Sequence, residues 1–207
     1  MSCVNTSRKS AWKLLVVLGV VLMIGAVAAP VRAQGQSFER VVKTLPGEGL
    51  VLELQSGGAV HVHGWDQNAA RIRVQLDGHN WRDTQISIEP TPSGVHLRSF
   101  ASNRASSTPS NNTFDIWIPR WYNLSLSSAG GPLTIEDVGG TFRGSTVEAR
   151  ISIERARGHA ELSTGGGEIN VANSDLTGSL TTADGEARLL NVSGGLRVRS
   201  GQSTNRQ

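Results

Sequence analysis

Apolar and polar residues alternate along most of the chain after residue 49, which is the pattern of strands that bury one face. Leu50, Leu52 and Leu54 occupy every second position. Further alternating sets follow them: Val60/Val62, Ile72/Val74/Leu76, Ile86/Ile88, Val95/Leu97 and Ile116/Ile118. Turn signals such as Gly57-Gly58 and Asp77-Gly78 separate these sets. No stretch after residue 33 has helical periodicity, so the pattern predicts an all-β fold.

An internal repeat of 18 residues occupies the C-terminal half, with units beginning at Ser127, Ser145, Ser163 and Thr181. Six and eight residues after each start stands an apolar pair. These pairs are Leu133/Ile135, Ile151/Ile153, Ile169/Val171 and Ala187/Leu189. A fixed period with alternating apolar residues is typical of elements that bury their faces by stacking on neighbours. We therefore predict a β-solenoid (β-helix-like) of about 18-residue coils, stacked about 4.8 Å apart.

Two parts of the repeat depart from its pattern. The third unit has Ser174 and Leu176 where Val and Gly are expected, and Gly178 predicts that its turn is shifted by two residues. Leu196 to Arg199 resembles the start of another strand, and a polar tail follows. Because an open solenoid end exposes unpaired backbone groups, we expect either a capping tail or an incomplete version of a longer domain.

The first 33 residues have the features of a secretory signal peptide. Arg8, Lys9 and Lys13 are basic, residues 14–29 are apolar, and Val31-Arg32-Ala33 predicts cleavage after Ala33. Sixteen apolar residues are fewer than the roughly 20 that a spanning helix needs. Cys3 precedes the apolar stretch, so lipid anchoring through it is not expected.

The rest of the chain divides into three predicted segments. Residues 34–49 form a lead-in, residues 50–119 an irregular antiparallel β region, and residues 120–207 the solenoid region with its polar tail. Residues 101–113, rich in Ser, Asn, Thr and Pro, are predicted as a loop between strands.

The charge and the cysteine content argue against several classes of function. The chain has 20 basic and 17 acidic residues, and removal of residues 1–33 leaves 16 basic against 17 acidic. A nearly neutral protein has no overall attraction for nucleic acid, and nucleic-acid binding is therefore not expected. The cleaved chain would contain no cysteine, so we expect neither disulfides nor thiolate chemistry.

Several segments resemble a bacterial group of exported β-strand-repeat proteins of unknown function, often named as adhesins. The residues that carry the resemblance are Gly58 to Asp66 (GAVHVHGWD), Asp115 to Pro119 (DIWIP) and repeat units such as Gly167 to Val171 (GEINV). The resemblance implies a solenoid-like envelope protein linked to the cell surface or to envelope stress. It supplies no catalytic residues, and Ala149 departs from the repeat glycine.

His61 and His63 lie two residues apart on one predicted strand, with Asp66 nearby. Two imidazoles and a carboxylate are ligands for a divalent metal. The alternative, which we favour, is that Val60 and Val62 face the core while both histidines face solvent.

Trp117, Trp121 and Tyr122 cluster where the repeat begins, and Trp117 is predicted to point away from Ile116 and Ile118. Exposed aromatic rings can stack on sugars. The favoured alternative is that these rings cap the first coil, on the view that this position is an end of the stack.

Arg150, Glu168 and Glu186 occupy equivalent outward positions of successive units. Paired carboxylates on a β-helix are one arrangement that polysaccharide hydrolases use. Arg150 is also well placed for an ion pair with Glu168, and a surface charge ladder is the favoured interpretation.

The sequence as a whole predicts an exported, non-catalytic envelope protein, periplasmic or on the cell surface, with an adhesin-like, structural or binding role. Expected partners are an envelope polymer, an envelope protein or a second copy at the open solenoid end. No catalytic, cofactor-binding or metal site is expected, and no membrane span after cleavage. A carbohydrate-active enzyme and an envelope-stress sensor remain alternatives.

Overall fold

Strands make up almost all of the regular structure in the computed structural model, which describes residues 35–77, 81–101 and 111–201. Within these ranges fifteen strands join into one sheet, and the only helical segment is a short 3-10 turn at Trp81–Asp83. The all-β prediction is confirmed. The described part of the chain contains no helix with the length and apolarity needed to cross a membrane. The predicted signal peptide and most of the predicted loop, residues 102–110, lie outside the described residues.

The strands follow one another with short connections. Their bounds are β1 Gln36–Lys43, β2 Gly49–Leu54, β3 Ala59–Trp65, β4 Ala69–Asp77, β5 Thr84–Thr91, β6 Gly94–Ala101, β7 Asn111–Pro119, β8 Asn123–Ser128, β9 Leu133–Glu136, β10 Gly139–Thr146, β11 Ile151–Glu154, β12 Arg157–Thr164, β13 Ile169–Thr182, β14 Ala187–Ser193 and β15 Arg197–Ser200.

Strand β13 joins the two halves of the sheet. Its first residues pair with β11, and its last eight, from Asp175, pair with β12. The first half of the sheet runs β1-β4-β7-β3-β9-β11-β13, and the second runs β13-β12-β10-β8-β2-β6-β5, while β14 and β15 both pair with β13. The sheet therefore folds back on itself, and both halves contribute residues to one core.

The 18-residue length of the sequence repeat is also the separation between residues that pair on adjacent parallel strands. In the first half of the sheet, Ile151 lies opposite both Leu133 and Ile169, each 18 residues away. In the second half, Phe142 lies opposite Leu124, and Leu162 opposite Leu180, at the same offset. Equivalent residues of successive units therefore lie side by side across the sheet.

The core follows the predicted alternation. Leu50, Leu52 and Leu54 are at most 1% exposed, and the apolar pairs of the first three repeat units are at most 2% exposed. The fourth pair differs, because β14 pairs only with β13 among the described strands and Leu189 is 49% exposed.

A ladder of hydroxyl side chains lies inside the repeat at the ends of successive strands. Its members are Ser128, Thr146, Thr164 and Thr182, each at most 8% exposed. Thr164 Oγ1 donates to the Ala149 carbonyl at 3.1 Å and accepts from the Ala149 N–H at 3.2 Å. Thr182 Oγ1 bonds to the Gly167 carbonyl at 2.8 Å. These hydroxyls satisfy backbone groups of the turns that would otherwise be buried without partners.

In each repeat unit the chain changes direction at a residue whose backbone is in the left-handed region of φ/ψ space; this residue is here named the corner residue. Asp137, Arg155, Asn173 and Asn191 have φ between 51° and 58°. Asn and Asp tolerate this conformation better than other non-glycine residues do, so three of the four corners have suitable residues. Gly140 and Gly158, with φ of 137° and 122°, lie three residues after two of these corners, at the starts of β10 and β12.

The third unit is not shifted, and that prediction is wrong. Leu176 lies opposite Gly158, and Gly178 opposite Ala160, so the offset of 18 residues continues. Ser174 is tolerated inside because its hydroxyl donates to the Ala172 carbonyl and accepts from the Ala156 N–H.

The N-terminal β region is not simply antiparallel, which corrects the prediction for residues 50–119. Strands β2 and β3 pair in parallel with β8 and β9 of the repeat, while β4 and β5 are antiparallel to their neighbours. Alternation of buried and exposed residues is the same for both strand directions, so it carries no information about direction. The predicted lead-in also contains strand β1, which pairs with β4 and buries little of its surface.

Candidate functional site

The outer surface of β3, β7 and β4 carries an aromatic and basic cluster, here named the tryptophan face: His63, Trp65, Arg71, Arg73 and Trp117. These side chains point outward because their strand neighbours, such as Val62 and Ile116, fill the core. The register places His63 and Arg71 on either side of Trp117, on the two adjacent strands.

Trp117 points outward, as predicted, and its ring is packed between side chains of the neighbouring strands. Its ring centroid lies 5.9 Å from that of His63, with 27° between the ring planes. The Arg71 and Arg73 guanidinium carbons lie 5.9 and 5.4 Å from the Trp117 centroid. Because these contacts flank the indole on both sides, a sugar stacking on Trp117 would have to displace one of them.

Arg71 links the two tryptophans, and Glu39 of β1 forms ion pairs with both Arg71 and Arg73. The Arg71 guanidinium carbon lies 4.9 Å from the Trp65 ring centroid. Glu39 lies 3.5 Å from Arg71 and 2.9 Å from Arg73. The tryptophan face is therefore a cross-strand network of stacked rings and paired charges.

His61, His63 and Asp66 do not converge on one point. The imidazole centroids of His61 and His63 are 6.5 Å apart, and His63 Nδ1 lies 3.6 Å from Glu136. Asp66 accepts a hydrogen bond from Arg120 Nε at 2.8 Å. In the described ranges no three side chains of the metal-binding types are grouped to hold an ion.

Trp121 and Tyr122 belong to different environments from Trp117. Tyr122 is fully buried, whereas Trp121 is 39% exposed and contacts Tyr122 edge-on with centroids 5.7 Å apart. The premise that these rings cap an end of the stack is wrong, because β2 and β3 continue the sheet beyond β8 and β9.

The carboxylates of the outward ladder are all paired with arginine. Glu168 lies 3.4 Å from Arg150, as predicted, and 3.2 Å from Arg188. Arg188 also lies 3.0 Å from Glu186. Each of these carboxylates is therefore part of a surface ladder of ion pairs, which is the interpretation favoured from the sequence.

A polar groove of about 380 Å³ opens on the outer face of the second half of the sheet, where β2, β8 and β10 begin. Its side-chain lining includes Val51, Ser93, Asn123, Ser125, Thr141 and Arg143. Asn123 Oδ1 accepts a hydrogen bond from the Thr141 N–H at 3.0 Å, which leaves the Asn123 amide hydrogens as donors. No local pattern predicts this groove, because its residues are far apart in sequence and belong to no motif.

Glycines lie at and beside the groove. A Cβ at Gly47 would meet no atom within 4 Å, so the groove is open at the turn before β2. Gly94 has φ +130° and lies against the Gly49 backbone, where a Cβ would collide with the Gly49 carbonyl oxygen. A larger residue at Gly94 would therefore separate β2 from β6.

Comparisons with known proteins give only distant similarities. No family model matches the chain, and no curated protein matches it. Similar solved structures include a candidate cell adhesion protein from Clostridium sporogenes ATCC 15579, with 10% identity, a TM-score of 0.35 and coverage of 81% of this chain and 99% of the other. A candidate adhesin from Parabacteroides merdae ATCC 43184 has 8% identity, a TM-score of 0.27 and coverage of 82% and 97%.

A third similar structure is a candidate lipid binding protein from Parabacteroides distasonis ATCC 8503, with 11% identity, a TM-score of 0.28 and coverage of 80% and 98%. Two of these three proteins carry names of the adhesin type to which the sequence resemblance pointed. The identities and TM-scores are too low to transfer a function to this chain.

Proposed function

We propose that this protein is an exported, non-catalytic component of the bacterial envelope that binds an extended polymer on its outer sheet surface. In this proposal residues 1–33 are removed on export, and the chain from residue 34 acts in the periplasm or at the cell surface. The repeat region is proposed to be a short β-solenoid. The 18-residue offset, which is the same in both halves of the sheet, supports that architecture.

One observation carries the binding proposal: outward side chains of successive strands form continuous rows across the sheet. One row runs from Arg71 through Trp117, His63 and Glu136 to Glu154, each residue opposite the next. Neighbouring strands lie about 4.8 Å apart, so such rows offer regularly spaced contacts over a long distance. A surface of this kind suits a repetitive polymer better than a single small substrate.

The paired charges support a non-catalytic role. Two outward carboxylates of the ladder, Glu168 and Glu186, share Arg188 between them. Opposite charges paired between neighbouring strands stabilise a sheet, and this accounts for the ladder without a catalytic role.

Co-sedimentation of residues 34–207 with separated peptidoglycan and outer-membrane fractions tests this function. Saturable binding to one fraction is expected, and binding to neither would contradict the proposal.

Two matched variants locate the surface: Ser152→Trp places a bulky ring on the outer face of β11, and Ser145→Trp does so on β10. Loss of sedimentation in one variant only would identify the half of the sheet that binds.

Self-association at β14 is a second part of the proposal. Leu189 and Leu190 are 49% and 63% exposed there, and β14 has β13 as its only partner among the described strands. Exposed apolar residues on a free edge favour pairing with another chain. Sedimentation velocity should show a concentration-dependent dimer that is lost in Leu190→Lys, and a monomer at all concentrations would contradict this part.

A further inference from the structure

We infer that the polar groove binds one uncharged sugar ring of a glycan. The inference rests on the proposed polymer-binding function and names the chemical class of its ligand. Four features of the groove carry it: unused hydrogen-bonding groups, an apolar contact, neutral charge and fully paired backbone.

The hydrogen-bonding groups of the groove are available to a ligand. The hydroxyls of Ser125 and Thr141 have no hydrogen-bond partner within the described ranges, and the Asn123 amide hydrogens are likewise unused there. Asn123 and Thr141 lie opposite each other on adjacent strands, about 4.8 Å apart, while Ser125 is two residues further along β8. Hydroxyl and amide groups spread over this width match the hydroxyls around a sugar ring, each of which both donates and accepts.

The groove also has an apolar contact surface. Val51 of β2 lies opposite Ser125 and lines the groove with the core residues Leu50 and Leu124 beneath it. Sugar rings have polar edges and apolar C–H faces, so they need both kinds of contact. Pockets for small ligands combine a largely apolar lining with a few placed polar groups.

The charges of the groove are already balanced. Arg143 Nε donates to Glu161 at 3.0 Å, and His159 also lies 3.1 Å from that carboxylate. Hydrogen bonds from His159 and Arg143 lower the pKa of Glu161, so the carboxylate stays ionised and neutralises Arg143 at neutral pH. No excess positive charge remains to select a carboxylated or sulfated sugar.

The backbone of the groove cannot recognise a peptide by strand addition. Strands β2, β8 and β10 are each paired on both sides. Strand addition requires a free sheet edge, so recognition in the groove must use side chains. This favours a glycan over an extended peptide.

Isothermal titration calorimetry of the purified protein with chitotetraose, cellotetraose and a charged tetraguluronate tests the inference. We expect saturable binding of chitotetraose or cellotetraose and none of tetraguluronate. Ser125→Gln fills the groove and should weaken binding by about tenfold or more, equivalent to about 1.4 kcal/mol. Thr141→Val, which removes one hydroxyl at nearly constant shape, should weaken it several-fold.

Ser127→Gln is the matched control, because Ser127 is also exposed and outward on β8 but lies outside the groove. Its affinity should stay within about twofold of the wild type. Equal losses in the Ser125 and Ser127 variants, preferential binding of tetraguluronate, or no binding of either uncharged oligosaccharide would each overturn the inference. If the protein then still sedimented with an envelope fraction, the proposed function would stand, and the polymer would have to bind at another surface.

Discussion

Arg155 reaches back exactly one repeat unit to Asp137 and forms a two-pronged ion pair with it. The Nε and Nη2 atoms of Arg155 donate to the two carboxylate oxygens at 3.0 Å each. Both residues stand at left-handed corners, and Arg155 is the one corner residue without an intrinsic tolerance for that conformation. The ion pair therefore helps to hold a corner that the residue type alone does not favour.

We predict that Asp137→Asn lowers the free energy of unfolding by about 0.5–1 kcal/mol at pH 7. Asn keeps the tolerance for the corner but removes the charge. The hydrogen bonds from Arg155 hold the pKa of Asp137 below its usual value, so the stabilisation is present above the unfolded-state pKa and is lost as the pH falls below about 4. Urea unfolding at pH 7 and pH 3 checks this, and a difference that is the same at both pH values would contradict it.

Ile153→Asp should prevent folding. Ile153 is 1% exposed and lies between Ile135 and Val171 of the adjacent units, so the substitution would bury an unpaired charge. Ile153→Val, which removes one methyl group, should cost about 0.5–1.5 kcal/mol. Ser152→Asp, one residue away on the outer face, is the control and should fold. A folded Ile153→Asp protein with an unchanged melting temperature would refute the register.

Thr164→Val should destabilise the protein by about 1–3 kcal/mol, because it leaves the buried N–H and carbonyl of Ala149 without their hydroxyl partner. The two side chains have nearly the same shape, so the loss reports the hydrogen bonds. Thr164→Ser retains the hydroxyl and should recover most of the stability in thermal or chemical unfolding. Equal stability of the Val variant and the wild type would show that the ladder is dispensable.

Tyr122→Phe should leave the stability unchanged or raise it by about 1 kcal/mol. The Tyr122 hydroxyl is buried and has no hydrogen-bond partner in the described part of the chain, so removing it relieves a desolvation cost. Burial, with a smaller contribution from Glu48, raises the pKa of Tyr122 to about 12.

That shift has a consequence at alkaline pH. The unfolded chain ionises its tyrosine near pH 10 and the folded chain does not, so wild-type stability should fall by about 2–3 kcal/mol between pH 10 and 12. Tyr122→Phe should lack this component. Because Tyr122 is the only tyrosine of the chain, its ultraviolet absorbance reports the titration directly, and ionisation of the folded protein near pH 10 would contradict the prediction.

The repeat shows how far sequence reasoning could go. The alternation of Ile151 and Ile153, together with the 18-residue period, predicted the buried face and the residues that pair with them on adjacent strands. A shift of the register by one residue would move every apolar side chain to the outer face, so only one register buries them all. The corner at Asn173 was not predicted, although Asp137, Asn173 and Asn191 occupy equivalent positions of the 18-residue repeat. Arg155 interrupts the run of Asp and Asn at this position, which weakens the signal.

Two errors, the strand direction of the N-terminal region and the placement of the aromatic rings at an end of the stack, have a common physical origin in pairing between distant segments. The partners of β2 and β3 are strands of the repeat, and no local pattern indicates a pairing between Leu50 and Leu124. The polar groove depends on that same pairing, since it joins Val51 to Ser125 and Arg143. The carboxylate ladder was predictable because Arg150 and Glu168 are separated by one period.

The placement of β2 and β3 imposes an order on the folding of a chain that emerges from its N-terminus. Strand β2 lies between β6 and β8, and β3 lies between β7 and β9, so all four neighbours are synthesised later. Pairing between distant segments is slow, and unpaired edges are prone to aggregate until it is complete. A chain interrupted before Asn123 would leave β2 and β3 with one open edge each. These edges are closed only when β8 and β9 have been synthesised and have paired with them.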